Sequence, residues 1–390
     1  MTATLDRDSE VAVAVTLPAV SSTADLIEQG SALATPFMLQ NLPRVRTNLR
    51  RLRDAFVDAE IYYAMKANPH PDILGVAAEE GCGFEISSDG ELDLLENLPG
   101  RFPIISSNPI KAPRFIRRAR QAGVEEYAVD SVAEVSKIAR EAPGASVYVR
   151  LLVDNTASEW PLARKYGVGT ADAVELLRQS AALGLKPIGT TFHVGSQCRS
   201  AAAWDAALTV TAEVWEAASR KGIDLTMVSI GGGFPIQHTR PIPEVEEIAG
   251  VVRRAISTRF PSRVRVALEP GRGVVGDAGL LGASVIGSAK RGEETWIYLD
   301  VGVFNGLMEA IDGFTYKVVT EKDGEPMTVV LAGPSCDSLD VIAQKIDLPE
   351  LVVGDRVYFV NAGAYTMAYA SHFNGWPPPT VHSVGDGNGK

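Results

Sequence analysis

Reactive or glycine-rich positions directly follow several apolar segments of the chain. Lys66 ends the segment IYYAMK, and a desolvated lysine amine can trap a carbonyl compound as a Schiff base. A surface lysine at a strand exit would fit the local sequence equally well. Gly231, Gly232 and Gly233 follow TMVSI, and Arg272 follows VALEPG. Because glycines let backbone N–H groups approach an anion and arginine adds a cation, these residues together indicate a phosphate site. The chain has no GxxxxGK[ST] motif, which excludes a P-loop.

Two further residues are suited to a planar ligand. A carboxylate such as Glu269 can keep a heteroaromatic ring nitrogen protonated and strengthen an electron sink, or it can pair with Arg272 or Arg150. His193, in FHVGSQC, can stack on a planar ligand, although a lone histidine is more often a satisfied core residue.

Three residues near the C-terminus also carry reactive groups. Cys336 precedes Asp337 in GPSCDSLD, where the thiol is either a small buried hydrophobe or a proton donor. Tyr365, in NAGAYT, is either a core residue or a donor to a phosphate oxygen.

The five histidines are dispersed, with no HExxH and no CxxC motif, so we expect no metal site.

The segments that must position these residues alternate between two kinds. Strands are predicted at 61–66, 83–87, 103–107, 126–130, 147–152, 187–194, 226–231 and 265–270. Helices are predicted at 43–57, 71–80, 89–97, 111–122, 131–141, 170–183, 203–220 and 243–258. This alternation favours a (β/α)8 TIM barrel, although an open doubly wound sheet would also alternate. Chemistry in barrels lies at the C-terminal strand ends, which here carry Lys66, Glu85, Asn108, Arg150, His193, Gly231–Gly233, Glu269 and Arg272.

From residue 280 the pattern changes to β-rich runs with Gly-rich turns. Strands are predicted at 282–288, 294–300, 314–319, 327–332 and 356–360, with one helix at 338–346. We therefore predict three segments: an N-terminal tail and strand at 1–36 that joins the β domain, a barrel at 37–276, and an antiparallel C-terminal β domain at 277–390.

Composition narrows the classes of partner. The 390 residues are 46% hydrophobic and 22% charged, which fits a globular chain with a large core. The net charge of −11 argues against nucleic acid or an anionic membrane as a partner. Three scattered cysteines suit a reducing compartment, and neither a signal peptide nor a spanning segment is visible, so we expect a cytoplasmic protein.

The motifs, taken in order, resemble one family. YYAMKAN, FHVGSQC, GGGFP, EPGR, GPSCDSLD and NAGAYT occur in the order and at the spacing found in fold-type III pyridoxal-phosphate decarboxylases, in the ornithine decarboxylase branch. The resemblance runs from residue 35 to residue 376. It implies an alanine racemase-like barrel with a β domain, pyridoxal 5'-phosphate as cofactor, decarboxylation of ornithine or lysine, and a place in polyamine biosynthesis.

The resemblance also implies roles in cofactor binding. Lys66 matches the lysine that holds the cofactor covalently, His193 the residue stacked on its ring, and Glu269 the partner of its ring nitrogen. The matches to the phosphate cradle and its surroundings are Gly231, Gly232, Gly233, Gly271, Arg272, Tyr365 and Ser196. Charged positions near the cofactor are matched by Glu85, Glu91 and Arg150.

A second group of roles concerns the substrate. Cys336 is similar to the cysteine that protonates the carbon left after carbon dioxide departs, and Asp337 to a substrate-amine contact. Phe373 matches another substrate-binding position. The family resemblance further implies a head-to-tail homodimer in which the β domain completes the partner's site.

Two departures leave the substrate open. Position 85 is glutamate where ornithine decarboxylases usually have aspartate, and the segment 304–316 is a residue shorter than the family's usual pattern. Asp312 is the first candidate for the carboxylate that binds the distal amine, and Glu309 the second. A decarboxylase of a modified or conjugated diamino acid is therefore the main alternative.

The same motifs distinguish this chain from other members of the fold. CDSLD and GGGFP argue against diaminopimelate decarboxylase, and Glu269 argues against alanine racemase, which has arginine there. A decarboxylase-like regulatory protein without activity would usually lack cofactor residues, and this chain retains them.

Overall fold

The computed structural model of the protein describes residues 16–20, 22–161 and 165–385. The predicted tail therefore lies partly outside the described residues, at 1–15 and 21, and so does the end of the chain at 386–390. The strands are β1 (Thr16–Leu17), β2 (Phe37–Asn41), β3 (Glu60–Ala64), β4 (Gly83–Glu85), β5 (Ile104–Ser106), β6 (Glu126–Val129), β7 (Ser146–Arg150), β8 (Ser158–Trp160), β9 (Lys186–Thr191), β10 (Ser196–Cys198), β11 (Met227–Ser229), β12 (Arg265–Leu268), β13 (Gly279–Arg291), β14 (Glu294–Leu299), β15 (Lys317–Thr320), β16 (Met327–Ala332), β17 (Val341–Leu348), β18 (Arg356–Val360) and β19 (Thr380–Val384).

The helices occupy most of the intervals between the early strands. They are α1 (Thr23–Gly30), α2 (Leu42–Ala55), α3 (Pro71–Glu79), α4 (Asp89–Glu96), α5 (Pro113–Gln121), α6 (Val132–Glu141), α7 (Thr170–Ala182), α8 (Ala202–Ser219), α9 (Val245–Arg259) and α10 (Arg272–Val275). Ser88 and Ser131 cap α4 and α6, because each hydroxyl accepts the backbone N–H three residues on. Within the described ranges, no helix is both long and apolar enough to cross a bilayer.

The chain divides into two compact units. The barrel unit comprises Leu42–Ala278 and Gly363–Ala368. The sheet unit comprises the described residues up to Asn41, Gly279–Ala362, and the described residues from Tyr369 onward.

In the barrel unit, eight parallel strands of the described chain close into a ring. Their order is β3–β4–β5–β6–β7–β9–β11–β12, and β12 pairs with β3. The predicted TIM barrel is thus confirmed, and each predicted strand overlaps an observed one. Most buried apolar residues of the barrel unit form one large cluster in which the helices pack on the outer face of the strands, whereas two small clusters are made by strand residues alone: Tyr62, Ile105 and Ala267, and Ala128, Tyr148 and Met227.

Ion pairs join strands at the N-terminal end of the barrel. Arg265, at the start of β12, lies 2.9 Å from Glu60 on β3 and 2.9 Å from Glu126 on β6. Because β3 and β6 are not neighbours, Arg265 braces the ring at the end opposite the reactive residues.

The sheet unit is mainly antiparallel, and its pairings differ from the prediction at two places. β2 pairs with β13 and β19, so Phe37–Asn41 belongs to this sheet and not to the barrel, where the predicted boundary at 37 put it. The predicted helix at 338–346 is wrong: the segment enters β17, which pairs with β16. The apolar spacing of Val341, Ile342 and Ile346 fits either element, and strand pairing decides it.

Candidate functional site

Lys66 and Glu85 form an ion pair at neighbouring strand ends. Lys66 lies in a single 3-10 turn directly after β3, and Glu85 ends β4. Lys66 Nζ is 2.7 Å from Glu85 Oε2. The Lys66 side chain is 49% exposed whereas that of Glu85 is 1% exposed, so the carboxylate is fixed while the amine remains accessible.

The surrounding charges keep Lys66 protonated. Partial removal of the amine from water by itself lowers its pKa, but the carboxylates of Glu85 and Glu269 and the phenol of Tyr365 outweigh this and raise the pKa above the ordinary value. The amine is therefore not neutralised by desolvation, contrary to the simplest expectation for a carbonyl-trapping lysine. Burial, with the charge of Glu85 second, raises the pKa of the nearby Glu91 to about 7.

Glu269 is a buried carboxylate directly after β12. Its Oε1 accepts the hydroxyl of Ser229, which in turn accepts the backbone N–H of Gly231 at 3.2 Å. Burial, and next the charge of Glu85, raise the pKa of Glu269, while hydrogen bonds from Ser229 and Ser107 lower it. Two hydroxyls thus oppose the loss of charge that burial favours.

His193 and Arg150 are the basic residues of the site. His193 Nδ1 accepts the N–H of Gly195 at 3.0 Å. Burial, and then the charges of Arg150 and Lys66, lower the pKa of His193 well below its ordinary value, so the ring is neutral. Burial also lowers the pKa of Arg150, which Glu269 partly offsets. A neutral imidazole suits stacking on a planar ring better than a cation would.

The glycine turn after β11 is packed too closely for side chains. A Cβ on Gly231 would lie 2.1 Å from the Phe192 carbonyl oxygen, and Gly231 has φ +64°. A Cβ on Gly232 or Gly233 would lie 2.7 Å or 2.5 Å from a neighbouring carbonyl oxygen. These positions therefore require glycine, and a glycine turn of this kind can form a cradle that binds anions.

Arg272 stands beside this cradle at the start of α10. It is 5% exposed, and its Nε donates to Ser196 Oγ at 3.4 Å. Its guanidinium carbon lies 4.9 Å from the centre of the Tyr365 ring and 4.8 Å from that of Trp160. A Cβ on Gly271 would lie 2.9 Å from Ala67 Cβ, so this turn too is held tightly against the lysine-bearing segment.

Tyr365 belongs to the barrel unit although it is distant in sequence. Its N–H donates to the Ala67 carbonyl at 2.7 Å, and Asn68 donates to the Gly363 carbonyl at 3.0 Å. Tyr365 has φ +59°, which is unusual for a residue with a side chain and shows that its placement is strongly constrained. The structure therefore brings Tyr365 to Lys66 and Arg272.

Cys336 and Asp337 lie in the sheet unit, on the loop that follows β16. Cys336 is exposed, and its N–H donates to the Asn374 side chain at 3.2 Å. Asp337 accepts the N–H of Leu339 at 2.9 Å. The thiol and the carboxylate are thus presented side by side on one short loop.

Asp340 anchors this loop from inside the sheet unit. It is 3% exposed and accepts the backbone N–H groups of Ser335 at 2.9 Å and Val303 at 2.8 Å. Gly302 and Gly333 have no room for a Cβ because the Asp340 carboxylate fills that space. Asp340 was not among the residues predicted from the sequence, although it ends the GPSCDSLD motif, which was a signal.

The other predicted substrate residues also lie in the sheet unit. Asp312 is exposed at the end of the turn Met308–Asp312, where Glu309 is half-buried. Phe373 is 43% exposed, and its ring packs against Phe304 with centroids 4.5 Å apart. Ile311 and Leu339 line a cavity of about 500 Å³ formed by 310–318 and 338–346.

A buried lysine follows β5, near the predicted Asn108. Lys111 donates to the carbonyls of Asn108 at 2.7 Å and Ala128 at 2.6 Å, and lies 3.2 Å from Glu134. Burial lowers the pKa of Lys111 to about 8 despite Glu134. Asn108 thus contributes its backbone to a structural network.

Taken together, the barrel unit holds an accessible amine, a buried carboxylate and an anion cradle. Ser229, Ser107 and Trp160 were missed, because serine and tryptophan carry no distinctive sequence signal outside a motif. Among the described residues, no group of three or more histidine, cysteine or acidic side chains could hold a metal ion. The arrangement suits a ligand that combines a carbonyl, a protonatable ring and a phosphate.

Comparison with known proteins identifies a family whose cofactor is a ligand of this kind. The family model for pyridoxal-dependent decarboxylases, pyridoxal binding domain, matches residues 42–276. The lysine/ornithine decarboxylase of Selenomonas ruminantium is 36% identical over 355 residues, which cover 90% of each protein. Antizyme inhibitor 2 of Xenopus laevis is 35% identical over 360 residues, covering 87% of this chain and 78% of that protein.

A solved structure agrees with these relatives over nearly the whole chain. The crystal structure of lysine/ornithine decarboxylase complexed with putrescine from Vibrio vulnificus has a TM-score of 0.84 and 31% identity, and the match covers 93% of this chain and 99% of that one. The resemblance drawn from the sequence motifs is confirmed: the chain belongs to the pyridoxal-dependent decarboxylases.

Proposed function

We propose that the protein decarboxylates a basic L-amino acid of the ornithine or lysine type, giving the amine and carbon dioxide, with pyridoxal 5'-phosphate as cofactor. The observation that carries this proposal is the meeting of Lys66, Glu269 and the glycine cradle at the strand ends of one barrel. Relatives with substantial identity over nearly the whole chain are named lysine/ornithine decarboxylase, which supports the substrate class.

The residues present fit the cofactor. A cradle that any Cβ would fill, with Arg272 beside it, suits a phosphate group. We assign the phosphate to Gly231, Gly232, Gly233, Gly271, Ser196, Arg272 and Tyr365. We assign the aldehyde to Lys66. When bound, the cofactor supplies an electron sink for the electron pair that the departing carboxylate leaves behind.

The barrel residues tune the charge around that sink. Glu269 holds a proton at the ring nitrogen, and the hydroxyls of Ser229 and Ser107 favour the ionised carboxylate needed for this. His193 is neutral and covers the ring without adding positive charge. Glu85 accepts a hydrogen bond from Lys66 Nζ and so holds the amine in position.

The sheet unit supplies the remaining groups of the proposal. Cys336 donates a proton from Sγ to the carbon that has lost its carboxylate, and Asp337 binds an amine of the substrate. Asp312, with Glu309 as the second candidate, binds the distal amine, and Phe373 contacts the substrate's carbon chain. The exposed thiol and the Asp340-anchored loop support this assignment.

We further propose that the protein is a homodimer in which each sheet unit completes the partner's site. Exposed apolar side chains on the sheet unit, among them Ile311, Leu339 and Phe373, support a covered surface there. Inactive Lys66→Ala and Cys336→Ala chains should regain part of their activity when mixed. Absence of complementation despite proven subunit exchange would contradict shared sites.

A substrate panel tests the activity. Carbon dioxide release should be measured from ornithine, lysine, arginine, diaminopimelate and conjugated diamino acids, with the cofactor-loaded protein. We expect ornithine or lysine to give the highest kcat/KM, and Lys66→Ala to abolish release. Turnover of none of these amino acids would refute the proposal.

A decarboxylase of a modified or conjugated diamino acid is the second candidate. It is favoured by Glu85, which contacts Lys66 directly, and by the exposed placement of Asp312. A conjugated substrate outperforming both ornithine and lysine in the panel would establish it.

We also propose a cytoplasmic location, supported by the three free thiols, which cell fractionation would test.

A further inference from the structure

Trp160 contacts the phosphate region but has no role in the function proposed above. It ends β8, and the guanidinium carbon of Arg272 lies over its ring, 4.8 Å from the centre. The same guanidinium lies over the ring of Tyr365 at 4.9 Å. One buried cation therefore meets two aromatic faces.

The strand that carries Trp160 is fixed to the wall of the site. β8 pairs antiparallel with β10, with Trp160 opposite Ser196 and Ser158 opposite Cys198. A Cβ on Gly195 would lie 2.0 Å from Ser158 Oγ and 2.9 Å from the Trp160 carbonyl oxygen, so the two segments are in close contact. The position of Trp160 is consequently tied to the segment that bears His193 and Ser196.

The geometry restricts how Arg272 can donate. A guanidinium donates only in its own plane, whereas its faces favour aromatic rings. Because both rings lie against the guanidinium, they limit the approach of water to it and the directions in which its N–H groups can donate. Ser196 accepts from Nε at 3.4 Å and adds an in-plane constraint.

We propose that Trp160 is a positioning residue for the phosphate of the cofactor, acting through Arg272. The inference rests on the proposed role of Arg272 as a phosphate ligand. Because Arg272 is 5% exposed, its ring contacts are desolvated, and such contacts are worth up to about 2 kcal/mol, or roughly thirtyfold in affinity.

The test compares binding of pyridoxal phosphate and of pyridoxal, which lacks the phosphate, to apoprotein. Dissociation constants are read from the visible absorption of the bound cofactor, so no activity is needed. Trp160→Ala should weaken pyridoxal phosphate roughly ten- to thirtyfold and leave pyridoxal unchanged, whereas Trp160→Phe, which keeps an aromatic face, should stay within about threefold of the wild type. Trp296→Ala, at a half-buried tryptophan of the sheet unit, serves as the matched control and should change neither constant.

Trp160→Leu covers the case in which the alanine variant does not fold, because it keeps apolar bulk without an aromatic face. It should weaken pyridoxal phosphate as the alanine variant does. Equal weakening of both ligands, or unchanged binding of pyridoxal phosphate by folded Trp160→Ala or Trp160→Leu, would overturn the inference. Arg272→Met separates failure of this inference from failure of the proposed function. If the Trp160 variants and Arg272→Met all bind pyridoxal phosphate normally, the phosphate site itself is misassigned. If Arg272→Met binds it weakly while the Trp160 variants bind it normally, only the role of Trp160 is wrong.

Discussion

Replacing Ser229 by alanine removes the hydroxyl that donates to Glu269 and accepts from the N–H of Gly231. Ser229 is fully buried and Glu269 is 8% exposed, so water has little access to replace either bond. The ionised carboxylate loses a donor that stabilises it, and therefore the pKa of Glu269 should rise further above its ordinary value.

The size of the effect follows from the charge on the acceptor. A hydrogen bond to a charged group is worth about 1.5–3 kcal/mol, and about 1.4 kcal/mol corresponds to one pKa unit. The acid limb of the kcat/KM profile should therefore move upward by roughly 1–2 pH units, because the proposed mechanism requires ionised Glu269. The unpaired N–H of Gly231 should lower the stability by about 1–3 kcal/mol as well.

The assay is a pH profile of kcat/KM together with a thermal melt of each variant. Ser180→Ala is the matched control: Ser180 is also fully buried, but its hydroxyl donates to the Leu176 carbonyl within α7. That variant should keep the wild-type acid limb. A destabilised Ser229→Ala protein with an unshifted acid limb would show that the hydroxyl only holds the fold and does not govern Glu269.

Three further predictions concern other parts of the molecule. As the pH increases from about 8 to 10.5, the free energy of unfolding of the wild type should rise relative to that of Lys111→Met. Over this range Lys111 is protonated in the unfolded chain but has lost its proton in the folded one. Denaturant titrations of both proteins at several pH values check this. Gly231→Ala should weaken cofactor binding roughly tenfold or more in an absorption titration, since its Cβ meets a backbone oxygen in a left-handed conformation. The control Gly144→Ala, equally left-handed at φ +73° but with nothing within 4 Å, should bind normally. Asp340→Asn should lower turnover and the melting temperature, because one of the two backbone N–H groups bound by its carboxylate loses its acceptor, but cofactor affinity should not change; equal loss of cofactor affinity would contradict this.

The barrel was predictable because its signal is local. Each predicted strand is a short apolar run followed by a helix. When parallel strands close into a barrel, the residues that follow them, such as Lys66 and Glu269, lie at the same end of it. The order of the motifs then gave the family. The charge state of Lys66 was not predictable, because it depends on the distance from Nζ to Glu85.

The sheet unit was predicted less completely because its pairings are long-range. Phe37–Asn41 is buried throughout and resembles an inner barrel strand, but its partner β13 begins at Gly279. The segment at 338–346 has apolar spacing that suits a helix, and pairing with β16 decides for a strand. Contacts such as Trp160 with Arg272 arise only when separate segments meet, so residue type alone does not reveal them.

The proposed function depends on a covalent bond between Lys66 and pyridoxal phosphate. The most direct measurement is borohydride reduction of the cofactor-loaded protein, followed by proteolysis and mass spectrometry of the lysine-containing peptides. We expect a pyridoxyl group on the peptide that contains Lys66 and no label on any other peptide, such as the one that contains Lys111. A label on another lysine, or no label on a protein that has bound the cofactor, would contradict it.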